Sequence, residues 1–175
     1  GNWRIGEQLD NGDLTSYVQA SSGFQTVTVS GTNGYIYIQK MITIRAGSAS
    51  TVAIINTSTG LDLMEISDLS CNGPSGTACI RACNLSPDLG PFDVALENRG
   101  NSYRTFTNVR FQEVTPFSSF ASGWYSIYVF RTNAFNNNNA IAAASAALKT
   151  GGSYTLYMFN GPSSTDGLRT LILSN

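Results

Sequence analysis

The chain predicts an all-β protein, a sandwich or barrel of short strands, and three observations carry that prediction. Apolar and polar residues alternate in short runs bounded by Gly, Asn and Ser. The runs are rich in β-branched and aromatic residues, which suit a pleated, half-buried surface. The later part of the chain also repeats the pattern of the earlier part. Taken in order, the first predicted strand is 24–29, where Val27 and Val29 alternate with threonines. The second is 35–44, with Ile36, Ile38, Ile42 and Ile44 in step, followed by 51–55 and 61–66. After a Gly- and Ser-rich interval come 80–84, 92–96, 124–130, 154–159 and 168–173. Residues 140–148 alone have helical propensity. Their counterpart in the first half lies near 35–44 and reads as strand, so a helix is discounted there.

The repetition is specific. Moved forward by 100 positions, Leu14-Thr15-Ser16-Tyr17 falls on Val114-Thr115-Pro116-Phe117, and Trp3-Arg4 falls on Tyr103-Arg104. In the same register Gly23-Phe24-Gln25-Thr26-Val27 meets Gly123-Trp124-Tyr125-Ser126-Ile127. A shift of 104 brings Ile44-Arg45-Ala46-Gly47 onto Leu148-Lys149-Thr150-Gly151, Thr51-Val52 onto Thr155-Leu156 and Asn56 onto Asn160. The expected organisation is an incomplete first β-sandwich unit over 1–70, a turn or disulfide linker over 71–79, and a complete second unit over 80–175. The second copy opens with a front section, 80–100, whose equivalent in the first copy would fall before Gly1.

Composition narrows the chemistry. Charged residues make up 12% of the 175, about half the roughly 25% usual in soluble domains. Apolar residues reach 42%, enough for a packed core. A formal charge of −1 supplies no basic field for a phosphate backbone, so nucleic acid is excluded as a partner. The absence of histidine removes Ser-His-Asp and Cys-His catalysis and His-ligated metal or haem. No catalytic residue, metal or cofactor is expected, and the chain does not read as an enzyme. No apolar run reaches the ~20 residues of a membrane helix, so no membrane insertion is expected. The chain begins at Gly1 rather than Met, which suggests removal of a signal segment or a tag. Few charges and many Ser, Thr and Asn suit an extracellular or cell-surface location.

Cys71, Cys79 and Cys83 lie in CNGPSGTACIRAC. Three thiols without a fourth ligand or a C-x2-C pair miss zinc spacing. If 79–83 is extended, its two cysteines stand about 13 Å apart and cannot pair with each other. The turn-forming Asn72-Gly73-Pro74-Ser75-Gly76 lets Cys71 reach either of them. A Cys71–Cys79 disulfide is expected in an oxidising compartment. Cys83 is then a small core residue or an intermolecular thiol. Three reduced cysteines in a cytosolic protein are the alternative.

Ile80-Arg81, Ser86-Pro87-Asp88 and Phe92-Asp93-Val94, then Ser122-Gly123-Trp124-Tyr125, then Leu148-Lys149-Thr150-Gly151-Gly152-Ser153-Tyr154-Thr155 together resemble a known signature. It runs V-R-x-x-H-x-S-P-D-A-P-x-V-D-V, A-G-x-Y and L-x-A-G-x-x-Y-T, and belongs to secreted bacterial and archaeal β-sandwich modules known only as a domain of unknown function. The resemblance covers most of 80–175, whereas 1–68 match only the later motifs. Asn84 stands where the family often has His, and Leu89-Gly90 where it has Ala-Pro, which removes any metal or acid–base role tied to that histidine. The resemblance implies an immunoglobulin-like sandwich, in tandem on cell-surface or extracellular proteins, without established catalytic activity. Physically the motif reads as structure: Ser86-Pro87-Asp88 is a turn, and Asp93 faces the opposite side of its strand from Phe92 and Val94.

Carboxylates are the acid–base candidates left. Glu7, Asp10 and Asp13 around Asn11-Gly12 lack the spaced ligands and closing glutamate of an EF-hand and read as a solvated turn. Asp62, Glu65 and Asp68 read as decoration of a strand edge. Nothing fixes a carboxylate pair at the ~5–10 Å that glycoside cleavage needs. Tyr35, Tyr37, Trp124, Tyr125, Tyr128, Tyr154 and Tyr157 could form a sugar-stacking platform, or serve as core and sheet-surface residues. Asn56-Thr57-Ser58 and Asn84-Leu85-Ser86 are N-glycosylation sequons, the second weakened by Pro87.

A sandwich deprived of its first strands exposes an apolar groove and unpaired backbone groups. The chain is truncated, or the first copy is a smaller self-sufficient sheet, or a strand from a neighbour fills the gap. The third resolution, repeated head to tail, gives an open filament. The expected function is accordingly that of an extracellular structural protein, the subunit of a pilus-like fibre whose partner is itself. Trp3 and Ile5, apolar and two apart, are the expected intersubunit contacts, with ordinary intradomain packing as their other reading. The alternative function is a cell-surface adhesion or carbohydrate-binding module with surface glycans as partners.

Overall fold

A computed structural model describes residues 4–134 and 139–175; Trp3 lies outside the described residues. The described chain is built from twelve β-strands and divides into two compact units, Gly1–Asp68 and Leu69–Asn175. The segment expected to be a linker, 71–79, belongs to the second unit. There the Cys71 backbone N–H donates to Ser153 Oγ at 2.8 Å, and a strand has begun by Thr77.

The first unit holds β1 (Gly23–Ser30), β2 (Ile36–Ile44), β3 (Ser50–Thr57) and β4 (Gly60–Ser67). These form two antiparallel hairpins, each a two-stranded sheet. The β3–β4 connection is a two-residue turn between Thr57 and Gly60, where Gly60 takes φ 119°, a conformation that only glycine adopts without strain. Pairing of Gln25 with Ile42, Val27 with Lys40 and Val29 with Ile38 sets these six residues on one face, since cross-strand partners share a side. Residues 4–22 contain no strand and are exposed throughout.

The second unit holds β5 (Thr77–Asn84), β6 (Phe92–Asn98), β7 (Asn101–Val109), β8 (Ser118–Ala121), β9 (Gly123–Arg131), β10 (Ala142–Leu148), β11 (Ser153–Asn160) and β12 (Leu168–Ser174). They form two four-stranded sheets, ordered β10-β9-β6-β7 and β12-β11-β5-β8, with β5 and β11 parallel. The expected sandwich is present. Ile80 and Ala82 of one sheet and Phe92, Val94, Leu96, Ile127 and Val129 of the other share a core with Leu156 and Met158, and all nine are fully buried. β10 is a strand despite its alanines, because it pairs residue by residue with β9 from Ala142–Val129 to Leu148–Gly123. Partner hydrogen bonds override a helix preference of a few tenths of a kcal/mol per residue.

Candidate functional site

The sheets of the second unit contain central strands, and the two-stranded sheets of the first unit contain none among the described residues. β9 is flanked by β10 and β6, and β11 by β12 and β5, whereas among the described residues β1 pairs only with β2 and β3 only with β4. One edge each of β1 and β3 therefore carries backbone N–H and C=O groups outside any ladder, a template for strand addition. Their side chains are open as well. Ile127 and Val129 of β9 are fully buried, whereas Val27 and Val29, a hundred positions earlier, are only half-buried. Met158 of β11 is fully buried, but Ile54, which matches it at the 104 shift, is 44% exposed. Ile55, Leu63 and Ile66 are the buried hydrophobics of the first unit among the described residues.

A lysine sits on that inner face. Lys40 lies opposite Val27. Its Nζ donates to the Leu63 carbonyl at 2.9 Å and stands 3.5 Å from Asp62, so the charge is anchored at the far hairpin. Asp68 receives Thr51 Oγ1 at 2.8 Å and the Tyr17 hydroxyl. That carboxylate bond pushes the Tyr17 phenol above its ordinary value. Ile5, one of the expected intersubunit contacts, is 47% exposed on the strandless segment.

Around the signature residues the second unit is a closed network. Ser86 is buried; its N–H donates to Asn84 Oδ1 at 2.8 Å, its hydroxyl bonds Asn160, and Asn160 Nδ2 donates to Asp88 at 2.7 Å. Pro87 sits within this turn. Asp93 does lie across its strand from Phe92 and Val94, yet it too is buried. It accepts Arg104 Nη2 at 2.6 Å, the Asn108 N–H at 2.8 Å and Thr132 Oγ1 at 3.0 Å. The Asn108 bond falls where the β6–β7 register shifts, so the carboxylate satisfies a backbone group that the irregular ladder leaves unpaired. Arg81 is likewise buried, donating to Thr155 Oγ1 at 2.9 Å with its guanidinium 4.9 Å from the Phe117 ring. Every one of these polar groups holds structure.

Asn84 corrects an expectation. Its side chain is fully buried, and its Nδ2 donates to the Val109 carbonyl at 3.0 Å, so the folded chain does not offer it for glycosylation. Sequon spacing carries no information about burial. Asn56 is exposed at the end of β3. Cys71 and Cys79 form a disulfide, which suits an oxidising environment. Cys83 is a buried free thiol, pushed up to about 12 by burial.

The carboxylates do not converge. Glu7 pairs with Arg4 at 2.6 Å, Asp13 accepts the Asp10 N–H at 2.9 Å, and Glu65 accepts Ser50 Oγ at 3.2 Å. Among the described residues no three His, Cys, Asp or Glu side chains are grouped to hold a metal. The aromatics divide by strand face: Tyr125 and Tyr157 are buried, while Tyr35, Tyr37 and Trp124 are exposed.

A search of curated proteins returned no match. A family model, a domain of unknown function designated DUF4397, matches residues 2–95, which take in the first unit, β5 and most of β6. Ser86, Pro87, Asp88 and Asp93 fall inside that match; Trp124 and the Leu148–Thr155 motif fall beyond it. The match spans more than half of the chain, and the protein therefore belongs to the DUF4397 family.

Proposed function

We propose that the protein is an extracellular structural subunit, a non-catalytic link in a surface filament, and that neighbouring subunits are joined by β-strand addition to the first unit. The half-exposed inner face of β1 and β3, beside their unpaired edges, is the observation that carries this reading. In it the two units are tandem copies: β1 to β4 correspond to β9 to β12, and residues 1–9 and 18–21 correspond to the edge strands β7 and β8. In the second unit those edge strands pair with β6 and β5, the two strands for which the first unit has no counterpart. In this reading the exposed, strandless residues 4–22 are what a neighbour can take up as an added strand.

The occupant is the N-terminal segment of a second copy. Drawn out as an added strand, residues 3–9 would set Trp3, Ile5 and Leu9 on one side by their spacing in the sequence, as Phe92, Val94 and Leu96 are set on β6. Ile5 and Leu9 are 47% and 44% exposed. Each chain then contributes one donor and one acceptor, a heterologous contact that does not close and propagates into a fibre. Negative-stain microscopy of the native protein beside a variant lacking residues 1–9 tests this. Fibres from the full chain and single particles from the variant are expected; single particles from both would overturn the reading.

A further inference from the structure

The second unit has a cleft that its packing does not explain. It encloses about 520 Å³ and is lined by Asn98, Arg99, Asn101 and Tyr103 on one side and by Ser122, Gly123 and Trp124 on the other. With Leu69, Trp124 at 63% and Tyr103 at 47% are the exposed large hydrophobics of this unit among the described residues, and both open onto this one cleft. Scattered surface aromatics need no explanation; two sharing a concave wall with convergent polar groups do.

The wall is held from behind. Tyr103 packs edge-on against Phe120 at 6.1 Å, and Phe120 against Tyr125 at 5.7 Å. The Tyr125 hydroxyl is spent on the Ala121 carbonyl at 2.8 Å. The Tyr103 ring is thus fixed with part of its surface bare. The side chains of Asn98, Arg99, Asn101 and Ser122 make no hydrogen bond within the protein among the described residues. Planar amides and a guanidinium left free beside bare aromatic rings suit a ligand that is apolar on its ring faces and polar around its rim.

Arg99 stands out on separate grounds. Asn98 pairs with Asn101 across the β6–β7 hairpin, leaving Arg99 and Gly100 as a two-residue turn with φ 50° and 79°. Both central residues of such a turn need positive φ, which Asn-Gly or Asp-Gly supplies readily. Arginine in the left-handed region is strained, and local strain of this kind is a pointer to use rather than to packing. The strained position delivers the cleft's one cationic side chain.

We propose that this cleft binds an acidic saccharide. A pyranose face stacks on Trp124 or Tyr103, Asn98 and Asn101 bond the hydroxyls, and Arg99 takes the carboxylate through charge-assisted hydrogen bonds. The site belongs to the second unit alone and does not depend on what occupies the first.

Calorimetry of the full chain with a trimer of galacturonic acid, and with its methyl ester as the uncharged control, tests the proposal. Tryptophan fluorescence is followed in a Trp3→Phe background. Binding with a change in Trp124 emission is expected, weaker by at least about tenfold for the ester. Trp124→Ala should abolish it. Arg99→Asn should erase the preference for the acid while leaving the unfolding midpoint equal or higher, since Asn-Gly suits the turn. A purely structural arginine would give the opposite pattern. No binding of either trimer at millimolar concentration, equal affinity for acid and ester, or unchanged binding by Trp124→Ala would each overturn the assignment.

Discussion

Two matched truncations separate a complete sandwich from an open one. Ile127 is fully buried in the core of the second unit, so Ile127→Ala removes buried carbons and leaves a cavity, at a cost of about 2–5 kcal/mol. For a unit of this size that lowers the unfolding midpoint by roughly 10–20 °C. Val27, which falls on Ile127 when the sequence is moved forward by 100, is half-buried. Removing its two methyl groups, worth about 1.6 kcal/mol when fully buried, should cost the dissociated subunit only about half as much. Once a neighbour's strand covers the face, the same truncation costs the full transfer term plus a cavity, about 2 kcal/mol or more. The subunit contact should then weaken by the difference between the two costs, about 1.2 kcal/mol or more, which is roughly eightfold or more. Urea denaturation of the dissociated protein reads the first quantity, and sedimentation of the native protein across a concentration series reads the second. If Val27→Ala destabilises the dissociated subunit as much as Ile127→Ala, the first unit already has a closed core. If it leaves assembly unchanged, β1 is not the acceptor. Either result refutes the argument.

Other predictions concern single groups. The Cys71–Cys79 bridge closes a loop with a sequence separation of 8, so replacing both cysteines by serine should cost about 2–3 kcal/mol by loop entropy, read as a shift in urea midpoint. Cys83, buried with its thiol pushed up to about 12, should resist iodoacetamide at pH 8 in native protein and react fully in urea. Because its folded value lies above the unfolded one, the unfolded state loses its proton first as pH rises. Stability should therefore be intact below about pH 9 and decline from there towards pH 12, more steeply than in Cys83→Ala. Mass spectrometry after expression in a glycosylating secretory host should find glycan on Asn56 and none on Asn84.

Much of the fold was legible because alternation reports directly on a sheet with one face buried. All nine runs read as strands from the sequence are strands, and the division of exposed Trp124 from buried Tyr125 follows from period two alone. β7 was missed because Asn101–Val109 is an edge strand whose polar residues hide Tyr103, Phe106 and Val109, and β8 because four residues carry no period. The alanines of β10 would read as helix on propensity alone; only their match to an isoleucine-rich run revealed the strand. Burial of Asp93, Arg81 and Asn84 was not legible, since it depends on a bulge and on cross-sheet partners distant in sequence. The cleft of the second unit was not legible either, because it joins a hairpin turn to a strand start some twenty residues later.

The central claim is that the free edges of β1 and β3 are covered in the native protein. Hydrogen exchange of Gly23–Ser30 and Ser50–Thr57, measured on the native preparation and again after dissociation, addresses it directly. The account predicts slow exchange on both strands in the assembled protein and rapid exchange of their outer-edge amides once subunits separate, with β9 and β11 slow in both. Equal, rapid exchange of those edges in both states would mean that no strand covers them, and would contradict the account.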